Sequence, residues 1–493
     1  MADYPYDLIV GLETHVQLKT RTKLFCGCST QFGAPPNTQT CPVCIGMPGS
    51  LPVMNRRAFE LALTAAVALN CEIPEFTKWD RKQYYYPDLP KGYQISQYDL
   101  PMSRNGWLEI HDPKGSFAPK RVGIIRAHLE EDAGKSLHDE VAGRADSRID
   151  LNRTGTPLIE IVSAPDLRST EEVRAYLTEL KLLLTYLGVS DCNMQEGSLR
   201  VDANVNIHIH TPGGTVATPI VEIKNLNSFR FIERALAYEA RRQYEVWQQT
   251  GKKFGDEGTF KQTRGWDDAR GVTFAQREKE ESSDYRYFPD PDLCPVITPA
   301  AEVERVRREM IELPAAIRRR LEATYGIPAY DSDVIVAQGR AFVDYYEAVA
   351  QVAGDGKKAA NWVTQEVLRV LNEHGWELAR FPLPAAWLGE LVRRVVAGEL
   401  EITRAKEVFN DMVAHRRTAA ESMQALGIAQ VDAAELEALC RELVAANPKI
   451  VADVKGGKQQ AVGALVGQAK KKNPNANPNE VRRICLELIA QSG

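Results

Sequence analysis

The chain has 493 residues, of which 44% are hydrophobic and 26% charged, values ordinary for a globular protein of about two to four domains. Its formal net charge of −5 excludes binding to nucleic acid through overall positive charge, so any such contact requires a local basic patch. No apolar run approaches the roughly 18 residues of a membrane span, and the first residues do not resemble a secretion signal. We therefore expect a cytoplasmic protein without a membrane segment.

The first motif in the chain is a group of four cysteines within nineteen residues. They form two close pairs, Cys26 with Cys28 and Cys41 with Cys44. Zinc prefers four thiolate ligands in a tetrahedron, and two such pairs on one loop supply them. The spacing predicts a structural zinc site, with Gly27 relieving the strain of the tight first pair. Four free thiols in a loop are the alternative.

The region 1–295 combines predicted strands with predicted helices. One helix begins at Asn55, a good N-cap residue, and another begins with a capping box formed by Ser169 and Glu172 and ends at Gly188. Strand-like segments flank both helices. The pattern predicts an α+β domain in which helices pack on an antiparallel sheet.

From about residue 300 the sequence changes to segments with apolar residues at positions i, i+3, i+4 and i+7. This periodicity predicts helices throughout. We expect an all-α helical domain over 296–410 and an all-α tail domain over 411–493, after the first domain at 1–295.

Three predicted strands alternate apolar and polar residues, so that each has one face suited to the core. The apolar faces include Val10, Ile125 and Val205. The polar faces carry Glu13, His15, Gln17, Lys19, Arg126, His128, Glu130, Arg200, Asp202, Asn204, Asn206, His208 and His210. A solvent-facing strand alternates in the same way, but carboxylates and imidazoles on three strands together also suit a divalent cation such as Mg²⁺.

A phosphate-binding loop is the obvious hypothesis for the Gly-Lys-Ser sequence that contains Lys135. The hypothesis fails because Leu129 occupies the position where the Walker A motif requires its first glycine. The acidic residues Glu130 and Glu131 would repel a triphosphate unless a metal ion lay between them. We therefore expect the acids to bind metal and Lys135 and Arg200 to contact phosphate.

Residues 79–101 are rich in tyrosine and proline and contain Lys82 and Lys91. Aromatic side chains beside lysines can stack on nucleic-acid bases. A channel wall, a contact with another protein or a plain irregular loop explains the composition equally well.

A basic segment without carboxylates, residues 454–478, lies near the C-terminus of this acidic chain. Its five lysines supply the local positive patch that RNA phosphates would require. A solvated basic helix surface is the simpler alternative. The lysines are Lys455, Lys458, Lys470, Lys471 and Lys472.

Seven motifs in a fixed order identify a family resemblance. They are VGLETHVQLKT, YYYPDLPKGYQISQYD, HLEEDAGKS, DLNRTGTPLIEIVSAPD, EGSLRVDANVNI, EIKNLNSF and DYRYFPDPDL. From residue 7 to the C-terminal helices, the chain resembles the B subunit of the bacterial glutamyl-tRNA(Gln)/aspartyl-tRNA(Asn) amidotransferases. The extra domain of the longer archaeal relative is not apparent, which favours the bacterial type.

The resemblance implies a heterotrimer with an A subunit that is an amidase and releases ammonia from glutamine, and with a small C subunit. It implies that region 1–295 is the family's cradle domain and uses ATP to phosphorylate the side chain of misacylated Glu-tRNA(Gln) or Asp-tRNA(Asn). Ammonia then replaces the phosphate and produces Gln-tRNA or Asn-tRNA. The helical and tail domains would hold the tRNA.

The resemblance also assigns roles to particular residues. Glu13, His15, Glu130 and Asp202 match the family's Mg²⁺ and nucleotide site, with Glu131 nearby. The residues that match its ammonia channel are Lys82 and Lys91. A zinc-containing scaffold that binds tRNA without catalysis is the competing hypothesis, and the clustered acids and histidines argue against it.

Overall fold

The structure is a computed structural model that describes residues 4–138, 147–278, 285–428, 433–473 and 475–491. Asp284, the first residue of the last family motif, lies outside the described residues. The chain forms two compact units, Met1–Pro314 and Ala315–Gly493. The finer division into three domains stays a prediction.

All strands in the described part of the chain belong to the first unit. They are β1 (Tyr6–Gln17), β2 (Phe76–Thr77), β3 (Asp80–Gln83), β4 (Tyr93–Ser96), β5 (Ser103–Ile110), β6 (Lys120–Glu131), β7 (Lys135–His138), β8 (Ser147–Asp150), β9 (Pro157–Ser163), β10 (Leu199–Thr211), β11 (Gly214–Ala217), β12 (Val221–Lys224), β13 (Gln262–Asp267), β14 (Val272–Glu278), β15 (Phe288–Pro289) and β16 (Val296–Ile297).

Among the described residues, nine of these strands form one sheet. Its order is β14-β13-β12-β10-β1-β9-β6-β5, with β11 added to β10. The pairings are antiparallel except for β12 with β13, which are parallel. Thus β9 lies between β1 and β6, and the three strands predicted to carry polar faces belong to the same sheet.

Three helices of the first unit pack on the apolar face of this sheet: α2 (Arg56–Ala68), α3 (Thr170–Tyr186) and α4 (Phe229–Thr250). The side chain of Asn55 caps α2, and that of Ser169 caps α3, as predicted. Alternate strand residues such as Val10, Leu12 and Val205 are fully buried in the same core as these helices. The polar residues between them face the opposite side. The helices are α1 (Pro42–Ile45), α2 (Arg56–Ala68), α3 (Thr170–Tyr186), α4 (Phe229–Thr250) and α5 (Ala300–Glu309).

One prediction about the core is wrong. Strand alternation predicts that Ile125 faces the core, but its side chain is 49% exposed, whereas Ile124 is 1% exposed. The register of β6 against β9 shifts between Ile124 and Arg126, as in a β-bulge. One extra residue inverts the alternation. After the bulge, Ala127 and Leu129 are buried as predicted.

The described part of the second unit is helical, which confirms the predicted change from α+β to all-α. A π-helical turn, Trp362–Val367, lies between the helices Gly356–Asn361 and Leu368–His374, and 3-10 turns occur at Leu378–Arg380 and Gln459–Ala461. No helix of the described ranges is long and apolar enough to cross a membrane. The helices are α6 (Pro314–Tyr325), α7 (Ala329–Ala337), α8 (Arg340–Ala353), α9 (Gly356–Asn361), α10 (Leu368–His374), α11 (Ala385–Val396), α12 (Ile402–His415), α13 (Ala419–Ala425), α14 (Ala433–Ala446), α15 (Pro448–Lys455), α16 (Val462–Lys472) and α17 (Pro478–Gln491).

Candidate functional site

The polar face of the sheet brings together residues that are far apart in the chain. Glu160 on β9 lies opposite His15 of β1 on one side and opposite His128 of β6 on the other. On the far side of β1, Glu13 pairs with Asp202 of β10. Because side chains at paired positions lie on the same face, all five project from one surface.

His15, Glu130 and Glu160 form the centre of this surface. The Nε2 atom of His15 lies 3.7 Å from a carboxylate oxygen of Glu130 and 3.7 Å from one of Glu160. One ligand atom from each residue lies within 4.8 Å of the others, so one cation can reach all three. His128 places Nε2 3.3 Å from Glu160, and its buried Nδ1 has no hydrogen-bond partner in the described part of the chain. Carboxylates with imidazole are suitable ligands for a divalent metal.

The two carboxylates of the centre differ in proton affinity. Burial raises the pKa of Glu130, and the charge of Glu160 raises it further. Burial also acts to raise the pKa of Glu160, but the adjacent rings of His128 and His15 outweigh it and hold that pKa well below its usual range. The pair therefore tends to keep one ionised carboxylate and one that readily takes a proton, as two acids close together do.

A cavity of about 1150 Å³ opens directly over this centre. Its volume would accommodate a ligand larger than a drug-sized molecule. Four of the predicted Mg²⁺ ligands and one predicted channel residue line it. The residues that line it include Glu13, His15, Lys82, Tyr84, Tyr98, Arg126, His128, Glu130, Glu160, Asp202, Glu222, Lys224, Tyr285 and Tyr287.

Two of the predicted Mg²⁺ ligands lie in the cavity but outside the central group of three. Asp202 accepts a hydrogen bond of 2.7 Å from Lys224, which also reaches Glu222 at 2.8 Å. Glu13 accepts one of 2.8 Å from Asn204. Lys224 therefore places a cation beside the carboxylates, where it can contact a phosphate group.

The tyrosine-rich segment forms one wall of the cavity. Lys82 projects from β3 and lies 4.9 Å from the centre of the Tyr285 ring. Tyr98 and Tyr287 stack with their ring centres 4.1 Å apart. The wall thus combines a cation with flat aromatic surfaces, an arrangement that suits either an aromatic ligand or a channel lining.

Glu131 and Lys91, predicted as catalytic and channel residues, form a buried ion pair with each other. The Nζ atom of Lys91 lies 2.6 Å from a Glu131 carboxylate oxygen, and both side chains are 5% exposed. The backbone N–H of Ile95 donates to the same carboxylate at 3.0 Å. Neither partner lines the large cavity, because Glu131 points to the face of β6 opposite to that of Glu130.

Arg200 lies at a second, smaller cavity of about 350 Å³. His15, Lys82 and Glu130 line both this smaller cavity and the larger one. The guanidinium of Arg200 donates to the buried carboxylate of Asp132 at 2.8 Å, and its Nε has no partner among the described residues. This Nε is itself buried, so it is an unpaired donor that is not exposed to a ligand in the cavity.

Lys135 does not lie with the other predicted site residues. It begins β7, which pairs with β8, and its side chain is exposed. The preceding Gly134 has a packing role, since a Cβ atom there would lie 2.9 Å from the carbonyl oxygen of Asp150 and 3.0 Å from that of Asp88. The glycine of the Gly-Lys-Ser sequence thus permits a close backbone approach.

The four clustered cysteines converge as their spacing predicts. The Sγ atom of Cys44 lies 3.6 Å from that of Cys26, 3.7 Å from that of Cys41 and 3.9 Å from that of Cys28. For a metal–sulfur distance of about 2.3 Å, tetrahedral coordination places the sulfurs about 3.8 Å apart. The site therefore fits a tetrahedral metal ion. Gly27 has an ordinary backbone conformation and open space around it, so the structure does not require glycine there.

The thiols of this cluster differ in their pKa values. A hydrogen bond from Cys26 lowers the pKa of Cys44 to about 4, and the nearby Lys23 ammonium also lowers it, against the effect of burial. Burial raises the pKa of Cys28 to about 11. At least one thiolate is therefore ready to bind a metal at neutral pH.

Glu160 is the site residue that strand alternation did not reveal. Its strand reads PLIEIVS, and the apolar residues around Glu160 are buried. A single carboxylate within a buried apolar strand requires a polar or charged partner. This requirement is the sequence feature that could have indicated Glu160 as a site residue. The partners, His15 and His128, are known only from the strand order.

The lysines of the C-terminal segment are all exposed. Two of them have acidic partners from neighbouring helices: Lys472 lies 2.6 Å from Glu442, and Lys458 lies 3.4 Å from Asp453. The basic patch is accessible, but it is partly neutralised.

Comparison with known proteins identifies the family of this chain. The family described as the GatB/GatE catalytic domain matches residues 8–304, and the GatB domain matches residues 344–489. The B subunit of aspartyl/glutamyl-tRNA(Asn/Gln) amidotransferase from Rhodopirellula baltica is 59% identical over 488 residues, which are 99% of this chain and 98% of that protein. The proteins of the same name from Carboxydothermus hydrogenoformans (99% of each chain) and Moorella thermoacetica (98% of this chain, 100% of the relative) are each 46% identical. The chain therefore belongs to the family of aspartyl/glutamyl-tRNA(Asn/Gln) amidotransferase B subunits.

Proposed function

We propose that this chain is part of a glutamine-dependent, ATP-dependent ligase that converts misacylated Glu-tRNA(Gln), Asp-tRNA(Asn) or both to the amidated forms. The observation that carries the proposal is the His15, Glu130 and Glu160 centre beneath a cavity of about 1150 Å³. A buried ligand set that opens onto a large cavity is typical of a catalytic metal site, which keeps positions for substrate. We place this chemistry in the cytoplasm, where aminoacyl-tRNA is used.

The reaction has two balanced steps. A side-chain carboxylate oxygen of the aminoacyl-tRNA attacks the γ-phosphorus of ATP, the bond to the bridging oxygen breaks, and ADP leaves with that electron pair. The nitrogen of ammonia then attacks the acyl-phosphate carbon, the carbon–oxygen bond breaks, and phosphate leaves while the nitrogen loses a proton. Phosphorylation is needed because a free carboxylate has no adequate leaving group.

Mg²⁺, when bound, offsets the charge of the transferring phosphoryl group and orients it in line. Its ligands in this proposal come from five cavity residues, and Lys224 and Lys82 stabilise phosphate charge from either side. Arg200 contributes the positive charge of its guanidinium from the smaller cavity, whereas the exposed position of Lys135 limits that residue to an outer contact. The five residues are Glu13, His15, Glu130, Glu160 and Asp202.

Ammonia requires a path that excludes water and keeps the molecule unprotonated. We assign this role to the region of Lys82 and of the Lys91–Glu131 pair. The charges of that pair neutralise each other at 2.6 Å, so the pair can line a path without attracting ions. Its contact with the backbone of Ile95 also holds β4 against β6 beside Glu130.

The four cysteines hold a structural Zn²⁺ in this proposal. The sulfur–sulfur distances of 3.6 to 3.9 Å and the thiolate character of Cys44 support it. Four thiolates leave no open position, so the ion stabilises the loop and takes no part in the reaction.

The proposed partners are the amidase that forms the A subunit, the small C subunit, which completes the trimer, and the misacylated tRNA. The relatives carry the name of one lettered subunit, which supports an assembly of several different chains. The exposed lysines of α16 are the proposed tRNA contact in the tail, because phosphate binding depends on accessible positive charge.

Reconstitution of the trimer with the amidase and the small C subunit tests the proposed function. Glu130→Gln removes a charged ligand without changing side-chain size, and we expect amidation of Glu-tRNA(Gln) to fall on the order of 100-fold. Glu245→Gln, on the exposed side of α4, is the matched control and should leave the rate unchanged. The measurement is the formation of Gln-tRNA(Gln) from glutamine and ATP.

The same experiment separates the proposal from the non-catalytic scaffold. A scaffold would bind tRNA without tRNA-stimulated hydrolysis of ATP. Full amidation by the Glu130→Gln variant would overturn the site assignment. Absence of amidation with the wild-type chain, in a trimer that hydrolyses glutamine, would overturn the function.

A further inference from the structure

A fully buried lysine lies beside the cysteine cluster. Lys23 is 0% exposed, and its Nζ atom lies 3.4 Å from the Sγ atom of Cys44. The same Nζ donates to the carbonyl oxygen of Gln39 at 2.7 Å and to that of Leu151 at 3.4 Å. These three acceptors match the three N–H donors of an ammonium group, which has no lone pair to offer. The surroundings therefore fit a charged lysine.

The charge of Lys23 lacks the usual kind of partner. Elsewhere in the first unit, buried Asp290 accepts from Arg81 at 2.7 Å, and buried Glu239 accepts from Arg242 at 2.6 Å. No carboxylate of the described residues pairs with Lys23, whose acceptors are two carbonyls and one sulfur. A buried charge without a countercharge is strongly unfavourable, so the countercharge must come from the sulfurs.

The four sulfurs, when they bind a divalent ion as thiolates, in turn require a nearby positive charge. Four thiolates around one divalent ion carry a net charge of −2, and burying that charge is also unfavourable. One ammonium group in contact with the cluster reduces the net charge to −1. Lys23 thus supplies a positive charge to the metal–thiolate centre, and the centre supplies the negative charge that the buried ammonium group requires.

Lys23 also joins the two halves of the cluster. Its backbone N–H donates to the carbonyl of Cys28 at 3.0 Å, in the first pair. Its side chain donates to Gln39, just before the second pair, and to Cys44 within it. One residue therefore fixes the separation between the pairs.

We propose that Lys23 is a positioning residue of the cysteine metal centre, holding its two halves together and compensating the charge of four thiolates around a divalent ion. This inference rests on the metal centre proposed above. It adds a residue that the cysteine spacing alone does not indicate, and it makes retention of the metal depend on a side chain that does not bind the ion.

Release of zinc from the purified chain tests the inference. Lys23→Met keeps the length of the side chain and removes its charge and its hydrogen bonds. We expect this variant to lose zinc to a competing chelator 10- to 100-fold faster than the wild type, the effect usual for residues that support metal ligands. Lys19→Met, at a nearby exposed position, is the matched control and should release zinc at the wild-type rate. Lys23→Arg, which keeps the charge, should release zinc more slowly than Lys23→Met.

Melting temperatures measured with and without zinc exclude a merely structural role. Lys23→Met should lower the melting temperature more in the zinc-loaded chain than in the zinc-free chain, because the countercharge is largest with all four thiolates formed. Equal losses in the two states, or release of zinc at the wild-type rate, would overturn the role of Lys23 and leave the metal centre intact. A wild-type chain that binds no zinc would overturn both.

Discussion

The two candidate metal sites of this chain are built in opposite ways. The cysteine cluster comes from one short segment of the chain, in which all four ligands lie between residues 26 and 44. The carboxylate–imidazole centre takes His15, Glu130 and Glu160 from three neighbouring strands. The first depends on local chain geometry and the second on the register of a whole sheet.

Their surroundings differ as much as their origins. The four sulfurs surround one point and leave no ligand position open, whereas the centre on the sheet faces a large cavity. A closed ligand set stabilises a fold, and an open one can admit a substrate. We therefore expect changes in the cysteine cluster to affect stability and changes on the sheet to affect the reaction.

Substitution of Glu160 should separate the two sites most clearly. Glu160→Gln removes one charged ligand and one partner of both histidines, so we expect ATP-dependent amidation to fall on the order of 100-fold. Zinc content and release should match the wild type, because the ion-pair partners of Glu160 among the described residues are His15 and His128. The measurements are amidation by the reconstituted trimer at increasing Mg²⁺ and metal analysis of the same preparation.

Glu245→Gln, at an exposed position of the first unit, is again the matched control for Glu160→Gln. Amidation by Glu160→Gln at the rate of this control would exclude Glu160 from the site. A loss of zinc in Glu160→Gln would show that the two sites are not independent.

Mg²⁺ binding at the centre on the sheet should depend on pH through one carboxylate. Burial and the charge of Glu160 raise the pKa of Glu130, so this carboxylate takes up a proton above the ordinary glutamate value of about 4.3. Below the raised pKa a proton competes with the metal, and the apparent Mg²⁺ affinity should fall on the order of tenfold per pH unit. Above it, the affinity should be constant.

Mg²⁺ titrations of ATP hydrolysis across this range measure the effect. In Glu130→Gln the proton competitor is absent, so the remaining affinity should vary less with pH. An affinity that is equally pH-dependent in the wild type and in this variant would assign the titration to another group.

The sequence alone predicted the cysteine cluster in full, but it predicted the carboxylate–imidazole centre on the sheet only in part. The spacing of the cysteines alone predicted their convergence. Strand alternation correctly placed Glu13, His15 and Asp202 on one face, because β1 and β10 pair without a register shift. Glu160 was missed because its role depends on β9 lying between β1 and β6, and strand order is a long-range property.

Alternation also fails where the backbone departs from the ideal strand. Ile124 and Ile125 are the same residue type, so the sequence does not indicate which of them is buried. The bulge in β6 determines that Ile124 lies in the core. The same bulge sets the phase in which Arg126, His128 and Glu130 reach the cavity. The Lys91–Glu131 pair shows a related limit, since a charged motif does not reveal which of its members neutralise each other.

A matched pair of substitutions at the bulge gives the smallest and most local test. Ile124→Thr places a hydroxyl at a core position and removes buried apolar volume, so we expect it to lower the free energy of unfolding by about 2–5 kcal/mol. Ile125→Thr changes a side chain that is 49% exposed and keeps a β-branched residue in the strand, so its effect should stay within about 0.5 kcal/mol. Chemical denaturation of the two variants measures the difference. Equal losses of stability would show that Ile125 is buried like Ile124 and would contradict the side-chain orientation described for β6. Zinc bound to the cysteine loop should be unaffected in both variants, because neither isoleucine belongs to that loop.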